Sequence, residues 1–172
     1  MEIFYFNADE PKQIKALSKL ATDILREYYD PLLGIAQNLY MTEKFQSVHG
    51  ILDHMKRGAV YGVLTLTPIQ SVEDIANALG FFAYEFKKDY LYISKFYLRA
   101  DARGKGYSHP LMDEFERVAL EHKLPALRLN VNKYNPTIDI YEHLGFRIIE
   151  SEVNDIGKGY VMDDYVMEKR LS

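Results

Sequence analysis

In the first part of the chain, a pattern typical of a strand is followed by a pattern typical of a helix. Residues Glu2–Asn7 predict a first strand. Apolar residues then recur every three or four positions, at Ile14, Leu17, Leu20, Ala21, Ile24 and Leu25. This spacing predicts an amphipathic helix, with Asp9 as its N-cap and its end near Tyr29, because an Asp-Pro pair follows.

The stretch from residue 32 to residue 99 passes from helices to strands. Residues 32–45 predict a second helix that bends near Gly34, and Ser47 is a suitable cap for a third helix. Three β-rich runs follow, at Val60–Thr67, Leu79–Phe86 and Tyr90–Arg99. Their short connections predict antiparallel pairing, and residues 69–78 fit either a loop or a short helix.

The last 65 or so residues predict a mixed α/β arrangement. Its elements are a helix from Pro110, a strand at Ala126–Val131, a short helix at Thr137–Leu144, and strands at Phe146–Ser151 and Gly159–Arg170 around a polar turn at 154–158. No composition shift marks a boundary, so we expect a single domain over residues 1–172 with an α/β fold and a mixed, largely antiparallel sheet.

A glycine-rich loop connects the strand ending near Arg99 to the helix from Pro110. It reads Arg103, Gly104, Lys105, Gly106, Tyr107, Ser108. Glycines let a backbone approach a ligand closely, and a helix start has unpaired N–H groups, so the loop suits a phosphate or pyrophosphate. A plain tight turn is the alternative. The loop lacks the Gly-Lys-Ser/Thr of a P-loop and the third glycine of a dinucleotide fingerprint.

Composition removes several function classes. The net charge of −4 argues against nucleic-acid binding as the main task. With no cysteine, the chain has no disulfide, thiolate nucleophile or Cys-ligated metal, and its five histidines lack the spacing of a zinc motif, so surface or capping roles are expected for them. Neither a secretory signal nor a run of about 20 apolar residues is present. We therefore expect a cytoplasmic protein without metal or membrane partners.

Three segments together resemble the GCN5-related N-acetyltransferase (GNAT) superfamily. They are the strand that leads into the loop (YLRADARGKG, 97–106), the loop itself, with Arg103, Gly106 and a departing Ser108 at the last motif position, and the segment NPTIDIYEHLGF at 135–146. The resemblance implies a sheet splayed at its centre with helices on both faces. It also implies acetyl-coenzyme A as co-substrate, with its pyrophosphate on the loop amides from Arg103 to His109 and its pantetheine arm between the strands holding Phe96, Tyr97 and Leu98 and Leu129–Val131.

The same resemblance assigns catalytic roles. Tyr141 matches the tyrosine that serves as general acid beside the thioester sulfur, and Asn135 would contact the pantetheine or orient the short helix. Polarisation of the carbonyl falls to a backbone N–H on Phe96–Leu98. Many relatives carry a glutamate on this strand, and this chain does not, so Glu85 on the preceding strand is the candidate base, acting through water. Structural roles for Tyr141 and Glu85 are the alternatives.

The acceptor is predicted to be a primary amine. Residues 41–47 and 159–169 are similar to PaiA-type polyamine acetyltransferases and to spermidine/spermine N-acetyltransferases, so a small amine, with a polyamine leading, is expected. Asp163 and Asp164, beside Tyr165, suit an alkylammonium. A protein N-terminus or lysine is the alternative acceptor, and a coenzyme A-binding module without catalysis is the alternative function. A homodimer is compatible with the sequence.

Overall fold

The computed structural model describes residues Met1–Leu171, which form two compact units. The first unit comprises residues 1–85 and 95–109, and the second comprises residues 86–94 and 110–171. Two strands and one helix contribute residues to both units. A single acetyltransferase domain over the whole chain stays a prediction.

Within the described residues the chain forms six α-helices and seven strands. The helices are α1 Pro11–Leu33, α2 Ile35–Gln46, α3 Val48–Lys56, α4 Val72–Ala76, α5 Ser108–Glu121 and α6 Ile138–His143. The strands are β1 Glu2–Tyr5, β2 Val60–Thr65, β3 Gly80–Phe86, β4 Leu91–Leu98, β5 Ala126–Asn132, β6 Arg147–Gly157 and β7 Tyr160–Arg170. Their order in the sheet is β1-β2-β3-β4-β5-β7-β6, with β4 and β5 parallel. The predicted fold class, α/β with a mixed and mostly antiparallel open sheet, is confirmed.

The first unit is built around the apolar face of α1. All six apolar residues of the predicted stripe are buried, and they pack with Phe6, which follows β1, and with Tyr61 and Phe81 of the strands. The predicted end of this helix at Tyr29 is wrong, because α1 continues through Pro31 to Leu33. Proline has no backbone N–H, so one hydrogen bond of the helix is lost at Pro31. Because Pro31 lies in the last turn of α1, the rest of the helix is not affected. Gly34, with φ +87°, then separates α1 from α2 as predicted.

The helix caps agree with the sequence in one case and differ in another. Ser47 caps α3 as predicted, since its Oγ accepts the Gly50 N–H at 3.0 Å. The prediction of Asp9 as the cap of α1 is wrong: Glu10 occupies that position, and the Asp9 N–H donates to Asn7 Oδ1. The uncertain stretch 69–78 contains the short helix α4.

In the second unit, β6 and β7 form a long antiparallel hairpin that packs beside β5. β6 extends to Gly157, well beyond the predicted end at Ser151, so most of the predicted polar turn is strand. Two irregularities in the β6–β7 register, at Ile148/Glu150 and Asp155/Gly157, absorb the extra length. The exposed side of β6 is rich in polar residues, which is why its sequence resembles a turn.

Strand β4 is paired differently along its length. Its parallel ladder with β5 joins Leu91, Tyr92 and Ile93 to residues 127–129 and ends there. Beyond the ladder, the far end of β4 lies against β3, where the Arg99 N–H donates to Leu79 O at 2.8 Å. A Cβ at Gly80 would lie 2.3 Å from the Tyr97 carbonyl oxygen, so only glycine permits this approach.

Gly80→Ala is therefore expected to lower stability by about 1–3 kcal/mol, because either strand must shift to admit the methyl group. The measurement is the free energy of unfolding by chemical denaturation. Lys88→Ala, in the exposed turn between β3 and β4, is the control and should change little. A Gly80→Ala protein as stable as the wild type would show that the backbones separate without cost.

Candidate active site

The loop before α5 presents backbone donors. Gly104 and Gly106 have φ values of +73° and +81°, a conformation that glycine adopts easily and other residues rarely adopt. In the described part of the chain, the N–H groups from Gly104 to Ser108 donate to no backbone carbonyl, whereas the His109 N–H donates to Gly106 O. Such unpaired amides at the start of a 14-residue helix fit a diphosphate.

Arg103 supports this loop rather than extending into it. Its Nε donates to the Leu98 carbonyl at 3.1 Å, and its guanidinium lies 4.6 Å from the ring centre of Tyr28 on α1. These contacts tie the Arg103 side chain to the strand end and to α1, and the charge that it would add to a phosphate site stays a prediction. Lys105, the other cation of the loop, is exposed as well.

The strand end that precedes the loop is held by aromatic side chains of the first unit. The Tyr97 hydroxyl lies 3.2 Å from that of Tyr29, and its ring lies 5.6 Å from the ring of Phe81. Phe96 and Leu98 alternate with Tyr97 and are half-buried. The backbone from Phe96 to Leu98, predicted to polarise the acetyl carbonyl, is thus fixed from one side by β3 and α1.

The short helix α6 carries the predicted general acid in the second unit. Tyr141 is 9% exposed, and its ring packs edge-on against Phe146 at 5.9 Å. Asn135 organises the entry to α6, because its Oδ1 accepts the Thr137 N–H at 2.9 Å and the Thr137 hydroxyl at 2.7 Å. The structure therefore supports the orienting role foreseen for Asn135, and a contact with pantetheine stays a prediction.

Glu85, the predicted base, has a histidine partner. Its Oε2 lies 3.1 Å from His54 Nε2, and the two side chains are only 21% and 14% exposed. His54 Nδ1 in turn lies 2.7 Å from the Tyr61 hydroxyl. The surface or capping role expected for His54 is therefore wrong: this residue is buried where α3 packs on β2 and β3.

A buried lysine continues this chain of contacts. Lys95 on β4 is 8% exposed, and its Nζ donates to Tyr61 Oη at 2.7 Å, to Phe45 O at 3.0 Å and to Gln46 Oε1 at 3.0 Å. The sequence analysis missed Lys95, because one lysine within an alternating strand has no distinguishing signal. The one clue is its position: Lys95 falls on the same face of the strand as the apolar residues Leu91 and Ile93, which are buried.

Burial perturbs the ionisation of this group of residues. Desolvation lowers the pKa of Lys95 to about 7, an effect that the negative charge of Glu85 opposes. Desolvation also lowers the pKa of His54, an effect that its hydrogen bond to the Glu85 carboxylate opposes, and desolvation raises the pKa of Tyr61. At neutral pH the phenol is therefore protonated, while Lys95 is poised between its two forms.

This pKa predicts a pH-dependent stability. Between about pH 7 and pH 10 the unfolded chain holds a proton on Lys95 that the folded protein releases, so stability rises with pH across this window, by about 4 kcal/mol in all. The measurement is denaturant unfolding at several pH values. Lys95→Met should remove that slope, and an equal slope in both proteins would contradict a depressed pKa at Lys95.

The predicted acidic pair does not form one cluster. Asp163 and Asp164 are adjacent on β7, so their side chains point to opposite faces. Asp163 pairs with Lys133 at 2.7 Å. Asp164 is 2% exposed, and desolvation raises its pKa while a hydrogen bond from Asn130 opposes the shift. An alkylammonium cannot meet both carboxylates at once.

Two classes of feature are not found among residues 1–171. No helix there combines the length and the apolar character needed to cross a membrane. No three His, Asp or Glu side chains there come together as a metal-binding group.

Solved structures with the same fold include several acetyltransferases. The chain is similar to the PaiA N-acetyltransferase of Thermoplasma acidophilum in complex with coenzyme A (TM-score 0.72, 16% identity, 99% of this chain and 100% of that one). It is also similar to a GCN5-related N-acetyltransferase of Rhodopseudomonas palustris (0.75, 14%, 99% and 95%) and to Ard1 of Thermoplasma volcanium (0.66, 20%, 99% and 97%). No curated protein sequence matches the chain. The fold is thus that of the N-acetyltransferases.

The sequence identifies the family to which the chain belongs within this fold. The sequence model of the acetyltransferase (GNAT) domain matches residues 70–168, which is more than half of the chain. The chain belongs to this family, as the motif residues indicated. It is an N-acetyltransferase with acetyl-coenzyme A as its co-substrate.

Proposed function

We propose that the protein transfers the acetyl group directly to a primary amine of a small molecule, with a polyamine as the leading acceptor. The observation that carries this proposal is the set of unpaired N–H groups from Gly104 to Ser108 at the start of α5. Acetyl-coenzyme A supplies an activated thioester when it is bound there. Because the chain has no cysteine, an acetylated cysteine cannot intervene, and the proposed route is direct attack of the amine in a ternary complex.

In this proposal Tyr141 supplies a proton to the departing sulfur. Its position on α6 is fixed by the Asn135 to Thr137 hydrogen bonds on one side and by Phe146 on the other. A fixed hydroxyl loses little orientational freedom when it donates, which favours general acid catalysis. A backbone N–H on Phe96–Leu98 polarises the acetyl carbonyl.

Glu85 serves as the base that receives the proton of the acceptor ammonium through a water molecule. Its contact with His54 and its partial burial distinguish it from a solvated surface glutamate. The side chain is still 21% exposed, so water reaches its carboxylate. An amine is nucleophilic only after deprotonation, so this step controls the fraction of acceptor that reacts.

Two features of the sequence support a small cationic acceptor. The net charge of −4 attracts cations to the protein. Residues 41–47 and 159–169 are similar to PaiA-type polyamine acetyltransferases and to spermidine/spermine N-acetyltransferases, which makes a polyamine the leading acceptor. A cytoplasmic location and a homodimer stay predictions of the sequence.

The test is a panel of acceptors with acetyl-coenzyme A, followed by thiol release and by mass spectrometry of the products. Polyamines, monoamines, aminoglycosides, peptides with free N-termini and lysine peptides form the panel. The proposal expects the highest kcat/KM for a polyamine, with a mass increase of one acetyl group. Turnover of the peptides alone would indicate that the acceptor is an amine of a protein. Tight coenzyme A binding without turnover of any amine would make the chain a binding module.

A further inference from the structure

Four ionisable side chains of the first unit form one continuous line of hydrogen bonds. Glu85 of β3 contacts His54 of α3 at 3.1 Å, and His54 contacts Tyr61 of β2 at 2.7 Å. Tyr61 contacts Lys95 of β4 at 2.7 Å. We call these four residues the relay. Every contact lies within hydrogen-bonding range, and each residue comes from a different element.

The donors and acceptors along the relay can be ordered in one direction. With Lys95 as ammonium, its three N–H groups donate to Tyr61 Oη, Phe45 O and Gln46 Oε1. The Tyr61 hydroxyl then donates to His54 Nδ1, and His54 Nε2–H donates to Glu85. In this arrangement every N–H and O–H of the four has an acceptor, and the charges of Glu85 and Lys95 balance.

The opposite order is equally complete. A protonated Glu85 donates to His54 Nε2, Nδ1–H donates to Tyr61 Oη, and the hydroxyl donates to a neutral Lys95 amine. The two arrangements interconvert by three proton shifts. The Glu85 O–H, His54 Nδ1–H and Tyr61 O–H bonds break, while the His54 Nε2–H, Tyr61 O–H and Lys95 Nζ–H bonds form. The net change is one proton moved from the carboxyl to the amine, with no change in total charge.

We propose that this relay carries the proton of the acceptor ammonium from Glu85 to Lys95 during acetyl transfer. The inference rests on the proposed function only for the source of the proton. Glu85, the more exposed end, takes up the proton, and buried Lys95 stores it until it returns by the same path. His54 and Tyr61 act as positioning residues that transmit the proton without touching the acceptor.

The surroundings of Lys95 suit it as a store near neutral pH. The charged or titratable groups that act on the relay from the packed elements are Glu85 on β3, Tyr61 on β2, and His54 and Arg57 at the end of α3. From α2, Lys95 faces only the neutral Phe45 carbonyl and the Gln46 amide. A proton on Lys95 leaves Glu85 ionised, so the carboxylate can again orient the next ammonium.

The first test needs no acetyl donor or acceptor. Nuclear magnetic resonance of protein labelled with ¹⁵N-lysine and ¹³C-glutamate follows Lys95 Nζ and Glu85 Cδ across pH. We expect the Glu85 Cδ signal to respond to the protonation step of Lys95 in the wild type, and this linked response to be lost in Tyr61→Phe. A Glu85 signal that does not respond to the Lys95 step in the wild type would overturn the relay. The linked response in a protein that acetylates nothing would leave the relay intact and refute the proposed function.

The second test uses the pH dependence of kcat with the best acceptor. The wild type should lose activity below about pH 7, as Lys95 becomes occupied by a proton, and His54→Gln and Tyr61→Phe should lose that limb and fall about 10- to 100-fold in kcat. Tyr84→Phe is the matched control, because it removes a buried hydroxyl of β3 outside the relay. The same limb in His54→Gln as in the wild type would overturn the proposal, even if Tyr61→Phe does not fold.

Discussion

Tyr141→Phe is expected to lower kcat about 100-fold, the lower end of what general acid–base catalysis contributes. The substitution removes one oxygen and keeps the ring that packs against Phe146. The fold and the coenzyme A site should therefore persist, and the dissociation constant of coenzyme A should change less than about twofold. Steady-state kinetics with a saturating amine and calorimetric titration with coenzyme A measure the two quantities.

The control is Tyr134→Phe, close in sequence to α6. Tyr134 is 75% exposed, so loss of its hydroxyl should alter neither kcat nor affinity. If Tyr141→Phe retains wild-type turnover, Tyr141 has only a packing role. If it loses coenzyme A affinity and kcat together, the hydroxyl contributes to binding of the donor and not to proton transfer alone.

Gly106→Val should weaken coenzyme A binding about tenfold or more. With φ at +81°, a β-branched residue at this position costs at least 1–2 kcal/mol or forces the backbone to another conformation. In the second case the N–H groups from Gly104 to Ser108 no longer converge, and a loss of about 1.4 kcal/mol is tenfold in affinity. Titration of the apoprotein with coenzyme A gives the dissociation constant directly.

Gly58→Val provides a matched control for backbone strain. Gly58 follows α3 with φ +105°, and a Cβ at either glycine has nothing within 4 Å to meet. Both variants should lose similar stability, while only Gly106→Val loses affinity. Equal affinity in Gly106→Val and the wild type would remove the loop from the donor site, and with it the main support for the proposed reaction.

The sequence predicts most elements of this fold because the decisive signals are local. The apolar positions of α1, the Ser47 cap and Gly34 each act over a few residues, and all three were interpreted correctly. The errors arise where tertiary contacts override a local preference. Pro31 is tolerated near the end of α1, and β6 extends through polar residues because β7 supplies its hydrogen bonds.

The same distinction between local signals and tertiary contacts applies to the candidate site. The loop and α6 are contiguous motifs, so a resemblance could identify them, whereas the relay brings together residues up to 41 positions apart. No spacing rule links His54 to Glu85 or Lys95 to Gln46. What the sequence does show is a lysine in a strand of otherwise apolar core positions, and its partners become visible only with the fold.

The hydrogen bond of Arg103 to Leu98 O and its contact with the Tyr28 ring connect the loop of the proposed coenzyme A site to α1. Replacement of Tyr28 by a residue without an aromatic ring removes the surface that the Arg103 guanidinium contacts. The Tyr28 ring itself has no assigned role in catalysis. Variation within this N-terminal helix is therefore a route by which evolution or design could retune donor affinity while the glycine motif itself stays untouched.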